Sequence, residues 1–504
     1  MLSTKRDKFL EAASKGANYI PLSKSWPADL ETPLTTWLKI GNGKPPGVLM
    51  ESVEGGENLG RWSVVASDPL WIATAQGDHL VRQWRDGGCD EFFGNPIKGI
   101  RKWLEPYKVG ALSEVPPLGQ LFGMWGYELI KWIEPKVPVY DFEKQDLPTG
   151  AWMFMDNILI FDQVRRLITA VVYSDLTGKK VPADEYEIAS ERLNYLQDRM
   201  NSPLPLIKPL EWRKNDDFII KTKSNYTQNK FKKSVELAKE HISAGDVFQL
   251  VLSQRISTHV DQEPFDLYRS LRMVNPSPYM AFFDFGDWQL IGSSPEVMVK
   301  AEPTSKGVRA SLRPIAGTRP RGETDQEDLA LEKELLEDPK ECAEHVMLVD
   351  LGRNDLGRVC QVGTVSVKEL MVIEKYSHVM HIVSEVEGLL KKDNDVWDLL
   401  MASFPAGTVS GAPKIRAMQL INKLESQPRG PYSGIYGSID LSGALNTAIT
   451  IRTMIVRPNI NGGLNVDVQA GAGIVADSDP MSEYQETINK ASGMLKALSC
   501  LGKN

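Results

Sequence analysis

Two pairs of acids carry the spacing of a cation site. Residues 341–355 read ECAEHVMLVDLGRND, with Glu341 and Glu344 three apart, then an apolar run, then Arg353, Asn354 and Asp355. Residues 481–490 read MSEYQETINK, with Glu483 and Glu486 three apart and Lys490 one turn beyond. That spacing puts each pair on one helix face. A single Glu-x-x-Glu reads as a solvated face, and Glu486 with Lys490 as an exposed ion pair worth a few tenths of a kcal/mol. Two such pairs match a hard divalent cation better. Mg²⁺ takes one or two protein carboxylates and completes its octahedron with waters and substrate oxygens. The apolar neighbours of Glu344 point to a partly buried site, where a carboxylate needs a metal, a cation or a proton. The expectation is that the four acids meet at one ion that grips an anionic substrate.

An anionic substrate also needs cations and backbone donors. The C-terminal half supplies RPIAGTRPRG (313–322), FPAGTVSGAPK (404–414), GPYSGIYGSID (430–440), ITIRTM (449–454) and VQAGAGIVADSDP (468–480). Each glycine cluster alone reads as a turn. Arg452, set in an apolar strand pattern, is costly unless a bound carboxylate gives it a bidentate partner. Other motifs fail. GAGIVA at 471–476 is followed by DSDP where a dinucleotide fold needs a helix start. There is no phosphate loop and no Gly-x-Ser-x-Gly elbow, and GGCDE around Cys89 lacks the glycine of a glutaminase cysteine elbow. The chain is therefore not expected to release its own ammonia from glutamine.

The 504 residues suggest two to four domain-sized units of a globular protein. With 58 basic and 66 acidic residues the net charge is −8, which favours neither nucleic acid nor an anionic membrane as partner. Cys89, Cys342, Cys360 and Cys500 have no paired spacing, arguing against disulfides and zinc. Neither a secretory apolar core nor a membrane-spanning stretch is present, so the expected location is cytoplasmic, or an organelle stroma if a transit peptide has been removed.

Val48 to Tyr173 is mostly short β-rich runs such as WSVVAS and GAWMFMDNILIF, with little helical periodicity. A charged helix near 183–200 leads into NSPLPLIKPLEWRKNDD, whose prolines place a boundary near 201–222. This divides the chain into a β-rich 1–215 and a catalytic 216–504. Beyond the boundary, Asn225 is expected to cap a helix ending at a glycine and leading into VFQLVLSQRI. Strands follow at 278–285 and 288–300, helices near 326–350, and strands to about 387. Helices come again near 395–403 and 412–425, then long strands at 433–456 and 464–475, and a last helix at 480–499. Strands and helices arriving in runs indicate α+β with largely antiparallel sheets, a β-sandwich flanked by helices. No internal repeat is visible.

From about 224 to 495 the chain resembles the chorismate-utilising enzymes, through PIAGTRPRG, ECAEHVMLVDLGRND, YSHVMHIVSEVEG, FPAGTVSGAPK, PYSGIYG and SEYQETINKA. The resemblance implies Mg²⁺ held by Glu344 and Glu486, with Glu341 and Glu483 reaching it through water. It implies substrate carboxylates held by Tyr432, Arg452, Lys490 and the backbone at Gly471 to Gly473, with Ala316 and Gly317 bordering the substrate. Glu296, in SSPE, matches the family's general acid, with Thr318 in the same pocket, and His381 matches its active-site histidine. Without the resemblance His381 reads as a hydrogen-bonded structural residue.

Two positions choose among the family's reactions. Members that add water carry a lysine base where this chain has Gln249, and members that make aminodeoxychorismate commonly carry a lysine nucleophile where it has Ala316. The resemblance then implies free ammonia as the nucleophile, attacking C2 of chorismate as the C4 hydroxyl leaves with a proton from Glu296. Pyruvate is then eliminated with His381 handling the proton, to give anthranilate. A separate glutamine amidotransferase subunit is implied as the ammonia source. VLMES at 48–52 and NPSPYM at 275–280 match the family's tryptophan feedback site, with Glu51 and Ser52 on the polar groups and Pro278, Tyr279 and Met280 lining it; alone they read as a strand edge and a proline turn. Two other readings stay open: an aminodeoxychorismate synthase, and a non-catalytic tryptophan sensor.

Overall fold

The computed structural model describes residues 4–41, 46–53, 60–110, 116–142, 145–178, 180–207, 209–212, 220–376 and 379–501. Ser377 and His378 of the YSHVMH motif, and parts of the 201–222 boundary, lie outside the described residues. The first half contributes β1 (Tyr19–Pro27), β2 (Gly47–Glu51), β3 (Trp62–Ser67), β4 (Trp71–Gln76) and β5 (His79–Trp84). It continues with β6 (Cys89–Phe93), β7 (Leu121–Trp125), β8 (Gly150–Phe154), β9 (Asn157–Asp162) and β10 (Leu167–Asp175). The second half contributes β11 (Thr222–Ser224), β12 (Gln249–Val260), β13 (Tyr279–Asp284), β14 (Gln289–Ser294), β15 (Val297–Thr304), β16 (Gly307–Leu312) and β17 (Ile315–Pro320). After these come β18 (Ser366–Lys375), β19 (Val379–Leu389), β20 (Gly411–Ala412), β21 (Ile435–Ile439), β22 (Leu445–Ile449), β23 (Thr453–Pro458) and β24 (Leu464–Ile474).

These strands form two antiparallel sheets. The first runs β1-β10-β9-β3-β2-β13-β14-β23-β24-β12-β11, and the second β17-β19-β16-β15-β22-β21-β7-β8-β4-β5-β6. Both orders are palindromes of topology. β1-β10-β9-β3-β2 is mirrored by β12-β24-β23-β14-β13, and β7-β8-β4-β5-β6 by β21-β22-β15-β16-β19. The halves of the chain meet at β2·β13 in one sheet and β7·β21 in the other, so both sheets run continuously across the division at 215. The repeat that the sequence hides lies in the order of strands.

Strand periodicity sets the layers, because alternate side chains point to opposite faces. Val48, Ala66, Phe283 and Leu290 of the first sheet share a core with Trp125, Trp152 and Val299 of the second. The intervening Leu49, Val65, Phe282 and Ile291 pack outward on helices Pro182–Asn201 and Pro480–Ser499 through Leu193, Met494 and Leu498. The α+β sandwich expected from the runs of strands and helices is the observed architecture.

Four short crossings pass from one sheet to the other: Ser67 to Trp71, Phe154 to Asn157, Ser294 to Val297 and Ile449 to Thr453. In the first half they carry Asp68 and Asp156, closed by Arg85 on both and by Arg192 on Asp156. In the second half they carry Glu296 and Arg452. This corrects the placement of Arg452 inside a strand: the run 433–456 is three strands, and Arg452 stands in a break with φ +47°. A left-handed residue there turns the chain between sheets, at a conformational cost that a non-glycine residue meets only where the surroundings enforce it.

Other expectations shift locally. Thr227, not Asn225, caps helix Gln228–Ser243, because Asn225 Oδ1 is taken by the Arg255 amide. The helical stretch near 326–350 is two helices, Asp325–Glu337 and Pro339–Val359, divided at Asp338, which caps the second through the Lys340 and Glu341 amides. A helix, Pro96–Leu104, interrupts the β-rich half.

Gly123 of β7 shows how tightly this strand packs on β8, since a Cβ there would lie 2.1 Å from the Ala151 carbonyl oxygen. Gly123→Ala is expected to cost on the order of 2 kcal/mol in chemical denaturation by forcing β7 and β8 apart. An unchanged midpoint would show that the pair can spread freely.

Candidate functional site

A cavity of about 750 Å³ opens beside the second pair of crossings. Every residue given above a catalytic, substrate-binding or metal-binding role lines it: Gln249, Glu296, Ala316, Gly317, Thr318, Glu341, Glu344, His381, Tyr432, Arg452, Gly471, Gly473, Glu483, Glu486 and Lys490. The volume suits a small metabolite.

The acid and the cation face each other from the two crossings. Burial pushes the Glu296 carboxyl up to about 7, against the pull of a hydrogen bond from Thr408 and the charges of Lys490 and Arg452. Thr408 Oγ1 donates to Glu296 Oε1 at 2.8 Å. Glu296 is thus substantially protonated at neutral pH. The Arg452 guanidinium makes no hydrogen bond or ion pair to the described residues, and its burial weakens its hold on its proton. A buried guanidinium without a partner invites a carboxylate.

A bulge sets the opposite wall. β17 slips register against β19 between Ala316 and Thr318, at Gly317 with φ +76°, and this places Thr318 opposite His381. Thr318 Oγ1 and the Gly317 carbonyl both lie on His381 Nδ1, at 3.0 and 3.1 Å. A proton on Nδ1 donating to that carbonyl leaves Nε2 as the basic nitrogen. Burial lowers the His381 pKa, so the ring is neutral in the physiological range.

Gly471 of β24 is required by close approach, and Gly473 leaves the Gln249 amide its place. A Cβ at Gly471 would sit 2.5 Å from Tyr432 Oη, and one at Gly473 2.6 Å from Gln249 Nε2. Gln249 Nε2 in turn donates to Glu344 Oε1 at 3.1 Å. Gln249 therefore orients an acid as well as lacking a base's proton affinity.

The four acids line the cavity in two pairs, and among the described residues no group of three or more His, Cys, Asp or Glu is already gathered to hold an ion. Glu341 approaches Arg319 at 3.5 Å, and Glu486 pairs with Lys490 at 2.6 Å. The ion pair weighed from sequence is thus present, and Lys490 also donates to the Gly471 carbonyl at 3.1 Å. Two features still call for a cation. Glu483 Oε2 is buried without a partner among the described residues, and the pKa of the Glu341 carboxyl is raised by burial and by the charge of Glu344. A hard ion with few protein ligands fits such a donor set.

Sequence reasoning passed over Thr408 and Arg429. Arg429 is 2% exposed, and all five of its guanidinium N–H groups are used. It donates to both Glu425 oxygens at 2.7 and 2.9 Å, to the Val251 and Val409 carbonyls at 2.8 and 2.7 Å, and to Ser433 Oγ at 3.1 Å. Glu128, from the first half, accepts the Arg429 and Gly430 amides. This network fixes the neighbours of Tyr432 and Thr408. Thr408 lies within FPAGTVSGAPK; for Arg429 the local signal is Glu425 four residues before it.

The proposed feedback residues lie apart from most of the cavity, except Pro278, which lines it. Glu51 pairs with Met280 across β2·β13 and is held by Tyr268 Oη at 2.5 Å and Arg272 Nε at 3.0 Å. The Ser52 and Ser277 hydroxyls are both buried without partners among the described residues. The Tyr279 carbonyl accepts from Tyr436 Oη.

The family model for chorismate binding enzymes matches residues 71–496. The chain is 54% identical to anthranilate synthase component 1 of Synechocystis sp. over 508 residues, 99% of this chain and 100% of that one. It is 42% identical to anthranilate synthase component 1 of Pseudomonas aeruginosa over 98% of each. The crystal structure of anthranilate synthase component I from Streptococcus pneumoniae matches with a TM-score of 0.75 at 35% identity, covering 93% of this chain and 98% of that one. The menaquinone-specific isochorismate synthase of Escherichia coli has the same fold, with a TM-score of 0.70 at 18% identity over 98% of each.

Glu296 makes a stability prediction whose sign follows from its raised pKa, about 7 in the fold against an ordinary 4.5. Its contribution is fully present below the unfolded value and is lost as pH rises through the folded one. Glu296→Gln, which never ionises, is expected to be more stable than wild type at about pH 8 by on the order of 2 kcal/mol, and nearly equal to it at about pH 4. Thermal unfolding at the two pH values checks this, and a pH-independent difference would refute it.

Proposed function

This chain belongs to the family of chorismate binding enzymes, and on that premise we propose that it is the large subunit of an anthranilate synthase. It converts chorismate and ammonia to anthranilate and pyruvate, with ammonia supplied by a separate glutamine amidotransferase subunit. The observation that carries the reading is that one cavity is lined both by Glu296, a buried acid whose pKa is pushed up to about 7, and by Arg452, a buried guanidinium with no bond to the described residues.

Arg452 and Lys490 hold the substrate carboxylates, with Tyr432 and the backbone of Gly471 to Gly473 closing round them. Ammonia attacks C2 while Glu296 gives its proton to the C4 hydroxyl, which leaves as water. Ala316 offers no nucleophile and Gln249 no base, so neither a lysine adduct nor activated water competes. His381 Nε2, neutral and aligned through Nδ1, takes the C2 proton as pyruvate departs. Its alignment by Gly317 and Thr318 is what suits it to that step. Glu344 and Glu486 would hold Mg²⁺, with Glu341 and Glu483 reaching it through water. When bound, that ion supplies Lewis-acid stabilisation of charge on the ring carboxylate. The chain carries out the aminating step of tryptophan biosynthesis in the cytoplasm or an organelle stroma.

Feedback by tryptophan fits the two unpartnered hydroxyls of Ser52 and Ser277, since buried polar groups without partners mark where a ligand can bond. Glu51 is pre-oriented there by Tyr268 and Arg272.

Purified chain with chorismate, Mg²⁺ and ammonium is expected to give anthranilate and pyruvate, with glutamine ineffective until the partner subunit is added. The chorismate turnover rate is expected to fall above about pH 7 as Glu296 loses its proton, because the proton donor is then absent. Aminodeoxychorismate or isochorismate as the product would overturn the assignment. Ser52→Ala is expected to weaken tryptophan inhibition by about tenfold while leaving uninhibited turnover alone. Unaltered inhibition would remove Ser52 from the feedback site.

A further inference from the structure

The segment 404–413 joins helix Val396–Ser403 to helix Lys414–Leu424 and carries Thr408, the hydrogen-bond donor to Glu296. Lys414 closes this segment at its base. Its Nζ donates to the Ser403 carbonyl at 3.1 Å, so the residue just after the segment grips the residue just before it. The same ammonium bonds Asp355 Oδ2 at 2.8 Å, and the two side chains are only 14% and 16% exposed. Asp355 belongs to helix Pro339–Val359, which also carries Glu341 and Glu344. A cavity of about 50 Å³ lies behind Glu296, walled by Asp355, Ser403 and Thr408 together with the acid itself.

Stability alone does not account for this pair. The attraction of two buried charges is largely offset by their desolvation, and apolar side chains of like volume hold helices together as well. An ammonium does what they cannot, since its donors reach a carbonyl and a carboxylate from one point and so fix where the segment begins and ends.

We propose that Lys414 and Asp355 form a clasp that positions Thr408 against Glu296, and through it aims the acid at the departing hydroxyl. Both are positioning residues, and the inference rests on the reading of Glu296 as the proton donor. The charged groups that face Glu296 are Arg452 from the crossing between Ile449 and Thr453 and Lys490 from helix Pro480–Ser499, with Asp355 and Arg313 on the wall of the small cavity. Arg358 and Lys414 face Asp355. Thr408 stabilises the ionised acid, so its withdrawal moves the loss of the Glu296 proton to higher pH.

The test uses the full chain with chorismate, ammonium and Mg²⁺, comparing the pair Asp355→Leu with Lys414→Met, Thr408→Val, their combination, and Glu296→Gln. The apolar pair is expected to fold, to keep the KM for chorismate within about twofold, to lower kcat about tenfold and to move the alkaline limb of kcat upward. Thr408→Val is expected to do the same, and the combination to be no worse than either, as for residues acting along one path. A milder arm, Asp355→Asn, keeps the bond from Lys414 to Ser403 and is expected to lower kcat about threefold with the same direction of limb movement. Unmoved limbs and kcat in folded clasp variants, or losses that multiply in the combination, would overturn the clasp alone. Full activity of Glu296→Gln would overturn the reading beneath it.

Discussion

The Arg429 guanidinium is the point from which the site is built. Removed from water, it is tolerable only because every one of its five donors finds an acceptor, and those acceptors are four residues on three stretches of chain. Glu425 supplies the charge and also bonds the Ser253 amide and hydroxyl on β12. Val251 ties in the strand that begins at Gln249, Val409 the segment of Thr408, and Ser433 the turn of Tyr432. Glu128 then anchors the Arg429 backbone to the first half of the chain. Removing either member of the Arg429–Glu425 pair strands a buried charge, at a cost of about 3–5 kcal/mol.

Around that anchor, the two sheets do the work of aiming. A strand that changes sheets must break its ladder, and the break frees a residue to point into the space between elements. Glu296 and Arg452 occupy two such breaks, one inbound and one outbound, so an acid and a cation meet without either sitting on a flexible loop. Their chemistry then follows from burial. Desolvation keeps the proton on Glu296 and off His381, giving a donor and an acceptor of protons in one cavity at neutral pH.

Much of this was legible in the residues. The paired acids, the glycines of β24 and the terminal helix carry strong local signals, and all line or border the cavity. Runs of strands and helices gave the α+β class for the same reason. What escaped was tertiary. ITIRTM reads as one strand because nothing in its composition announces the left-handed turn at Arg452. Asn225 and Thr227 are equally good caps, and only the Arg255 amide, thirty residues away in sequence, decides between them. Thr408 bonds Glu296 112 residues away, and Arg429, although Glu425 and Ser433 stand four residues to either side, is closed by the Val251 and Val409 carbonyls that its spacing does not announce. The mirrored strand order is invisible because it is a repeat of connections and not of side chains.

That mirrored order bears on how the chain emerges during synthesis. β2 has no partner on its seam side until Tyr279 onward is made, and β7 none until Ile435 onward. For most of translation the first half therefore presents two open strand edges, the kind of surface that pairs indiscriminately with neighbouring chains. The architecture that lets both halves share one core also commits the newborn polypeptide to a long wait, and makes sheltering of those edges part of producing this protein at all.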